Sequence, residues 1–245
     1  MHSQSFLRLR RWNLVLFAAA VASGCGPGSA ERDLVPQAAG DVAVSEEATL
    51  AATTPGEDNR PAIVFLGTSL TAGYGLDDPD LAFPSLVQDR IDTLGLEFRV
   101  VNAGVSGDTS AGGLERLRFI LDSPIRVLVL ELGANDGLRG LDTEALERNL
   151  GQVIQQTRER HPDVEILVAG MRAPTNLGAR YTNRFRTVFT EVARQYDTEL
   201  VPFLLEGVAA VPELNQADRI HPTAEGHRMI LETVWLSLGP LLEGL

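Results

Sequence analysis

From Pro61 to the C-terminus, short apolar runs alternate with longer stretches in which apolar positions recur every three or four residues. The runs Ala62–Leu66, Phe98–Asn102, Val127–Leu132, Glu165–Ala169 and Glu199–Phe203 read as strands. Between them, Phe83–Leu94, Leu114–Leu121, Thr143–Arg160 and Thr182–Tyr196 read as helices, and a final helix is expected from about Thr223 to Leu238. Several strand runs are apolar throughout rather than alternating, which suits strands covered on both faces. Strands alternating with helices predict an α/β fold, a three-layer doubly wound sandwich around a five-stranded parallel sheet. Ligands of such sheets bind beyond the carboxyl ends of the strands. That rule selects Gly67–Gly75, Ala103–Thr109, Gly133–Gly140 and the loop Asp218–Pro222 before the last helix, and each contains polar residues able to do chemistry.

The pattern is different before Pro61. His2 to Arg11 carries three Arg, Leu14 to Val21 is an unbroken apolar run too short to span a bilayer, and Ala22-Ser23-Gly24 leads directly into Cys25. Residues 1–25 therefore read as a signal peptide ending at a bacterial lipobox, with Cys25 as the lipidated residue. Ordinary cleavage after Ala22, leaving Cys25 unmodified, is the plainer alternative. Gly26 to Arg60 holds seven acidic residues against two Arg and no sustained apolar period, so 26–60 is expected to be a disordered acidic tether. Residues 61–245 form the single domain. Together these features predict an exported protein held to a membrane by a lipid anchor at Cys25, periplasmic or on the outer membrane, or else soluble after export. The net charge is −12, and no basic cluster invites nucleic acid or anionic lipid. With one Cys there is no intramolecular disulfide.

Among the selected loops, Ser69 lies in Gly67-Thr68-Ser69-Leu70, just after the first strand, where it could be a nucleophile or a helix N-cap. This is not the Gly-x-Ser-x-Gly elbow, because Thr71 stands where the second Gly would be. A nucleophilic Ser needs a base. His161 lies at a helix end and His227 inside the last helix, while His221 sits at the mouth of the sheet with Asp218 three residues before it. Only His221 thus has an acid placed to hold its second ring nitrogen. An acyl-transfer site also needs donors for an oxyanion. Gly107, in Ser106-Gly107-Asp108-Thr109, permits close backbone approach, and Asn135, in Gly133-Ala134-Asn135-Asp136-Gly137, offers an amide. Either segment could equally be a turn, and Asp108 or Thr109 could cap a helix. No cluster with metal-ligand spacing is present, and the lack of a phosphate-binding glycine motif sets a nucleotide-binding role aside.

Taken together, four blocks resemble the SGNH, or GDSL, hydrolase family, and within it the bacterial thioesterase, arylesterase and lysophospholipase subgroup. They are Gly67-Thr68-Ser69-Leu70, Val101 to Ser110, Glu131 to Gly140, and Asp218-Arg219-Ile220-His221-Pro222. The resemblance implies a flavodoxin-like sheet, attack by Ser69 on an acyl carbon, proton removal by His221, and orientation of His221 by Asp218. It further implies an oxyanion hole formed by the backbone N–H groups of Ser69 and Gly107 and the side-chain amide of Asn135, and no metal or organic cofactor. Thr68 departs from the Asp that names the GDSL motif, which bears on rate and loop rigidity rather than on the reaction. Met171 to Gly178 is similar to the loop that covers acyl chains in the subgroup, implying small acyl or aryl esters, thioesters and lysophospholipids as substrates. A carbohydrate O-acetyl esterase with the same residues is the alternative within enzymes. A noncatalytic lipid-anchored binding protein is the alternative outside them.

Overall fold

The computed structural model describes residues 58–245. The expected signal peptide, lipobox and tether, and the lipidation expected at Cys25, lie outside the described residues. Five strands form one parallel sheet: β1 (Ala62–Gly67), β2 (Arg99–Gly104), β3 (Val127–Glu131), β4 (Glu165–Ala169) and β5 (Glu199–Val201). Their order is β2-β1-β3-β4-β5, the flavodoxin-like arrangement, with the first strand between the second and third. The register pairs Leu66 with Ala103 on one side and with Leu130 on the other. The ends of the three neighbouring strands therefore finish level, and the loops that leave them share one edge.

Every residue of β1 and β3 is buried, as suits strands whose sequences are apolar apart from Glu131 at the end of β3. Edge strand β2 is only partly covered. The helices are α1 (Ser69–Ala72), α2 (Phe83–Thr93), α3 (Ser110–Ile120), α4 (Ala134–Arg139), α5 (Thr143–Arg160), α6 (Ala179–Tyr196) and α7 (Ala224–Glu243). Helix α2 packs against α7, and α5 packs against both α3 and α6. Apolar side chains of these helices and of the sheet make one continuous core, with Phe65, Phe83, Phe185 and Phe189 fully buried. No helix among the described residues is long and apolar enough to cross a membrane.

Three helices begin where short polar side chains accept the first free amides. Thr109 caps α3 through Gly112 N–H, Asp142 caps α5 through Glu144 N–H, and Thr223 caps α7 through Gly226 N–H. Capping explains why α3 starts at Ser110, before the Leu114 that the apolar period picks out. Two further differences concern ends. Helix α7 continues beyond Leu238 to Glu243 and carries Pro240 inside it; Leu236, whose carbonyl Pro240 leaves without its helical donor, lies on the solvent face. Strand β5 stops at Val201, short of Phe203, because Leu204 N–H turns back to Gly170 O.

Candidate active site

Strand β1 delivers Ser69 to the sheet edge as the first residue of α1, a single turn that ends at Gly73 in the left-handed region. Ser69 is therefore not an N-cap; Thr68 occupies that position and makes no capping bond. The backbone of β2 passes so close to this turn that a Cβ at Gly104 would meet Ala72 N at 2.3 Å.

His221 Nε2 lies 3.0 Å from Ser69 Oγ, and His221 Nδ1 lies 2.6 Å from Asp218 Oδ2. With its ring proton on Nδ1, the imidazole donates to Asp218 and accepts from Ser69. The other carboxylate oxygen, Asp218 Oδ1, accepts from the backbone N–H groups of Ile220 and His221 at 2.9 and 3.0 Å. The hydrogen bond from the His221 ring first, and then these two backbone bonds, hold the Asp218 carboxyl at about 2, well below the usual carboxylate range. The loop is tight enough to put Arg219 in the left-handed region, at φ 60°. It is clasped from below by Gln216, whose N–H donates to His221 O and whose amide donates to Tyr74 O and Pro222 O. The Tyr74 ring leans against the imidazole with 4.6 Å between centroids.

The other two loops come from the neighbouring strand ends. Gly107, after β2, has φ 86° in otherwise open space, so a glycine is needed there for its backbone angle rather than for room. Arg139 donates to Gly107 O at 3.0 Å. Arg116 spans the gap to the nucleophile turn, donating to Asp108 Oδ2 at 2.6 Å and to Gly67 O at 2.9 Å. Asn135 lies in the first turn of α4, after β3, and its side-chain amide donates to Asp108 O at 2.8 Å. The NH₂ group carries a second hydrogen, so this bond orients the amide without exhausting it. Asp136 anchors α4 by accepting from the Ser110 N–H and hydroxyl. The Asn-Asp-Gly stretch is thus helix rather than turn.

Beneath Ser69 the polar contacts continue into the interior. Glu131, the last residue of β3, is fully buried, and its carboxyl group accepts from Thr68 N–H, Thr68 Oγ1, Thr71 Oγ1 and Thr71 N–H at 2.8 to 3.3 Å. Burial pushes this carboxyl up to about 7 against the pull of those hydrogen bonds. His227 is also buried. Its Nδ1 accepts from Phe83 N–H at 3.2 Å, and burial lowers it to about 4. His161 contacts Leu121 O, far from Ser69 in the fold.

The five residues that the sequence nominated for the site, Ser69, Asp218, His221, Gly107 and Asn135, thus lie on loops at one edge of the sheet. The model of the GDSL-like lipase/acylhydrolase family matches residues 65–229, a span that begins in β1 and ends beyond His221. The chain belongs to that family. Its relatives include esterase TesA of Pseudomonas aeruginosa, 43% identical over 74% of this chain and 89% of that protein. Another is thioesterase 1/protease 1/lysophospholipase L1 of Escherichia coli, 36% identical over 74% of this chain and 84% of its own length. Among solved structures, the psychrotrophic esterase EstA from Pseudoalteromonas sp., inhibited by monoethylphosphonate, superposes with a TM-score of 0.69. It is 30% identical and is matched over 74% of this chain and 98% of that one.

Five residues around the site had no role assigned from the sequence: Glu131, Arg116, Arg139, Gln216 and Tyr74. Only Glu131 carries a signal, as a carboxylate inside the apolar run Val127–Leu132.

Proposed function

We propose that this chain is a serine ester hydrolase that works through an acyl-enzyme on Ser69. The unbroken chain of contacts from Ser69 Oγ through His221 to Asp218 carries this reading. Ser69 Oγ attacks the acyl carbon while His221 Nε2 takes its proton. The imidazolium so formed is stabilised by Asp218, whose low pKa keeps it charged. The carbonyl oxygen gains the negative charge and is received by the N–H groups of Ser69 and Gly107 and the free amide hydrogen of Asn135. His221 returns its proton to the departing alcohol or thiol as the ester bond breaks. Water then attacks the acyl carbon while giving a proton to His221, and as the bond to Ser69 Oγ breaks His221 passes that proton to Oγ, releasing the carboxylic acid and restoring Ser69.

Acyl and aryl esters are the substrates this site favours, with thioesters and lysophospholipids in the same range. Of the nine large apolar side chains exposed among the described residues, five (Tyr74, Val105, Leu138, Leu141 and Ile220) belong to the loops and the short helix α4 at this edge. An apolar rim around polar chemistry suits an acyl chain or aromatic ring rather than a sugar. The loop after β4 adds to it: a Cβ at Gly140 would lie 3.5 Å from Leu177 Cδ2.

The test is hydrolysis of p-nitrophenyl acetate, butyrate, octanoate and palmitate by the wild type and by Ser69→Ala. Activity on the acyl series that vanishes with Ser69 is expected. Cleavage of acetylated sugars alone would replace this reading with a carbohydrate O-acetyl esterase. A folded protein inactive on both would be a binding protein.

A further inference from the structure

The mechanism above uses nothing below Ser69, yet the most densely bonded polar group in the neighbourhood is there. Glu131 ends a strand in which every residue is buried, and no Arg side chain is among its hydrogen-bond partners. All its donors come from the two residues that flank the Ser69-Leu70 step. Thr68 contributes its N–H at 2.8 Å and its hydroxyl at 3.0 Å, and Thr71 contributes its hydroxyl at 2.8 Å and its N–H at 3.3 Å. Gly67 makes the approach possible, since a Cβ there would fall 1.9 Å from Thr71 Oγ1 and 2.6 Å from Glu131 Oε2. The carboxyl group thus fixes both ends of the backbone segment that carries the nucleophile, and through β3 it refers that segment to the centre of the sheet.

We propose that Glu131 is a positioning residue for Ser69, acting through Thr68 and Thr71. This rests on Ser69 being the nucleophile. Thr68 is then an active part of the device: its hydroxyl donates to Glu131 from the position where the family motif has an acid. A turn of four residues has little rigidity of its own. A displacement of about 1 Å at a reacting group can cost on the order of a hundredfold in rate, so what holds the turn sets the rate.

The experiment compares Thr68→Val, Thr68→Ser, Glu131→Ala and Glu131→Gln with wild type and Ser69→Ala. Each is assayed on p-nitrophenyl butyrate and by labelling with a fluorophosphonate, which reports Ser69 itself. Val keeps the shape of Thr68 and loses its donor, while Ser restores the donor. Gln can present its carbonyl to the two N–H groups and to Thr71 while its NH₂ donates to Thr68 Oγ1, which turns round to accept. Thr68→Val and Glu131→Ala should label to full stoichiometry but about tenfold more slowly, with kcat falling in parallel and KM within about twofold. Thr68→Ser and Glu131→Gln should recover most of that loss. Reduced stoichiometry at an unchanged labelling rate would show that Glu131 merely supports folding, and it would overturn the proposal. So would wild-type kcat in Thr68→Val and Glu131→Ala. If Glu131→Ala does not fold, the Val and Ser pair decides alone. Undiminished activity in Ser69→Ala would instead remove the nucleophile reading beneath it.

Discussion

Ser69 is held between two polar groups of opposite character. Above it, Asp218 and His221 sit on an irregular loop, with the Asp218 side chain 40% exposed, and their geometry comes from backbone N–H groups and the Gln216 clasp. Below it, Glu131 is sealed in the core, and its geometry comes from strand register and close packing. Hydrogen bonds, from the His221 side chain first and then from the loop backbone, hold the upper carboxyl at about 2, whereas burial pushes the lower one up to about 7. On the roles proposed above, the same chemical group supports proton transfer by His221 where it is half exposed and placement of Ser69 where it is buried. The upper pair should govern rate with little effect on stability, and the lower group should couple stability to pH.

The most severe break comes from His221→Ala. With the base gone, kcat/KM on p-nitrophenyl butyrate should fall by about 10⁴-fold or more. The loop is at the surface, so urea unfolding should move by no more than about 1 kcal/mol. Residual activity within a factor of ten would mean that another group removes the proton.

A smaller effect separates the two regions by acid titration. Glu131 has a folded pKa of about 7 against an ordinary 4.5, so its contribution to stability is fully present below 4.5 and is lost as pH rises to 7. His227 works the other way. Its folded pKa of about 4 against 6.5 means that stability is lost as pH falls from 6.5 to 4, while the unfolded chain takes up a proton that the folded one refuses. Between pH 4.5 and 6.5 the two effects oppose each other. Glu131→Gln removes one of them, so its urea stability should drop between pH 6.5 and 4.5 by up to about 3 kcal/mol more than that of the wild type. This range lies above the one in which Asp218 titrates. Parallel pH curves for the two proteins would show that Glu131 is ionised alike in the folded and unfolded states.

The smallest change tests how the upper loop holds its shape. Arg219 occupies the left-handed region, where a side chain costs about 1–2 kcal/mol, whereas Gly pays instead in unfolded-state entropy. Arg219→Gly should therefore raise the urea stability slightly, by about 1 kcal/mol or less. A loss of more than that would mean that guanidinium contacts, rather than the Asp218 and Gln216 bonds, fix the loop.

How much of this was legible beforehand follows from the same contrast. The apolar runs of β1 and β3 announce strands buried on both faces, and the loops at their ends announce the site. The spacing of Asp218 and His221 singles out one imidazole of three in the domain. Short helices α1 and α4 escape any periodic reading, because four to six residues do not complete enough turns to show a period. Glu131 was visible as a lone acid in an apolar run, but its meaning depends on Thr68 and Thr71 lying opposite it, and pairing between β1 and β3 is not written in either strand. Gln216, Arg116 and Arg139 look like ordinary solvated residues, since a loop's carbonyl acceptors leave no mark on its sequence.

The contact between Ser69 and His221 joins positions 152 residues apart. The strand that presents the serine is therefore made well before the imidazole that faces it. A chain long enough to build β1 and its two neighbours, β2 and β3, still lacks the base that the proposed mechanism assigns to His221. The reactive pair is thus a product of long-range folding, and any state in which the Asp218–Pro222 loop is undocked leaves Ser69 without its partner.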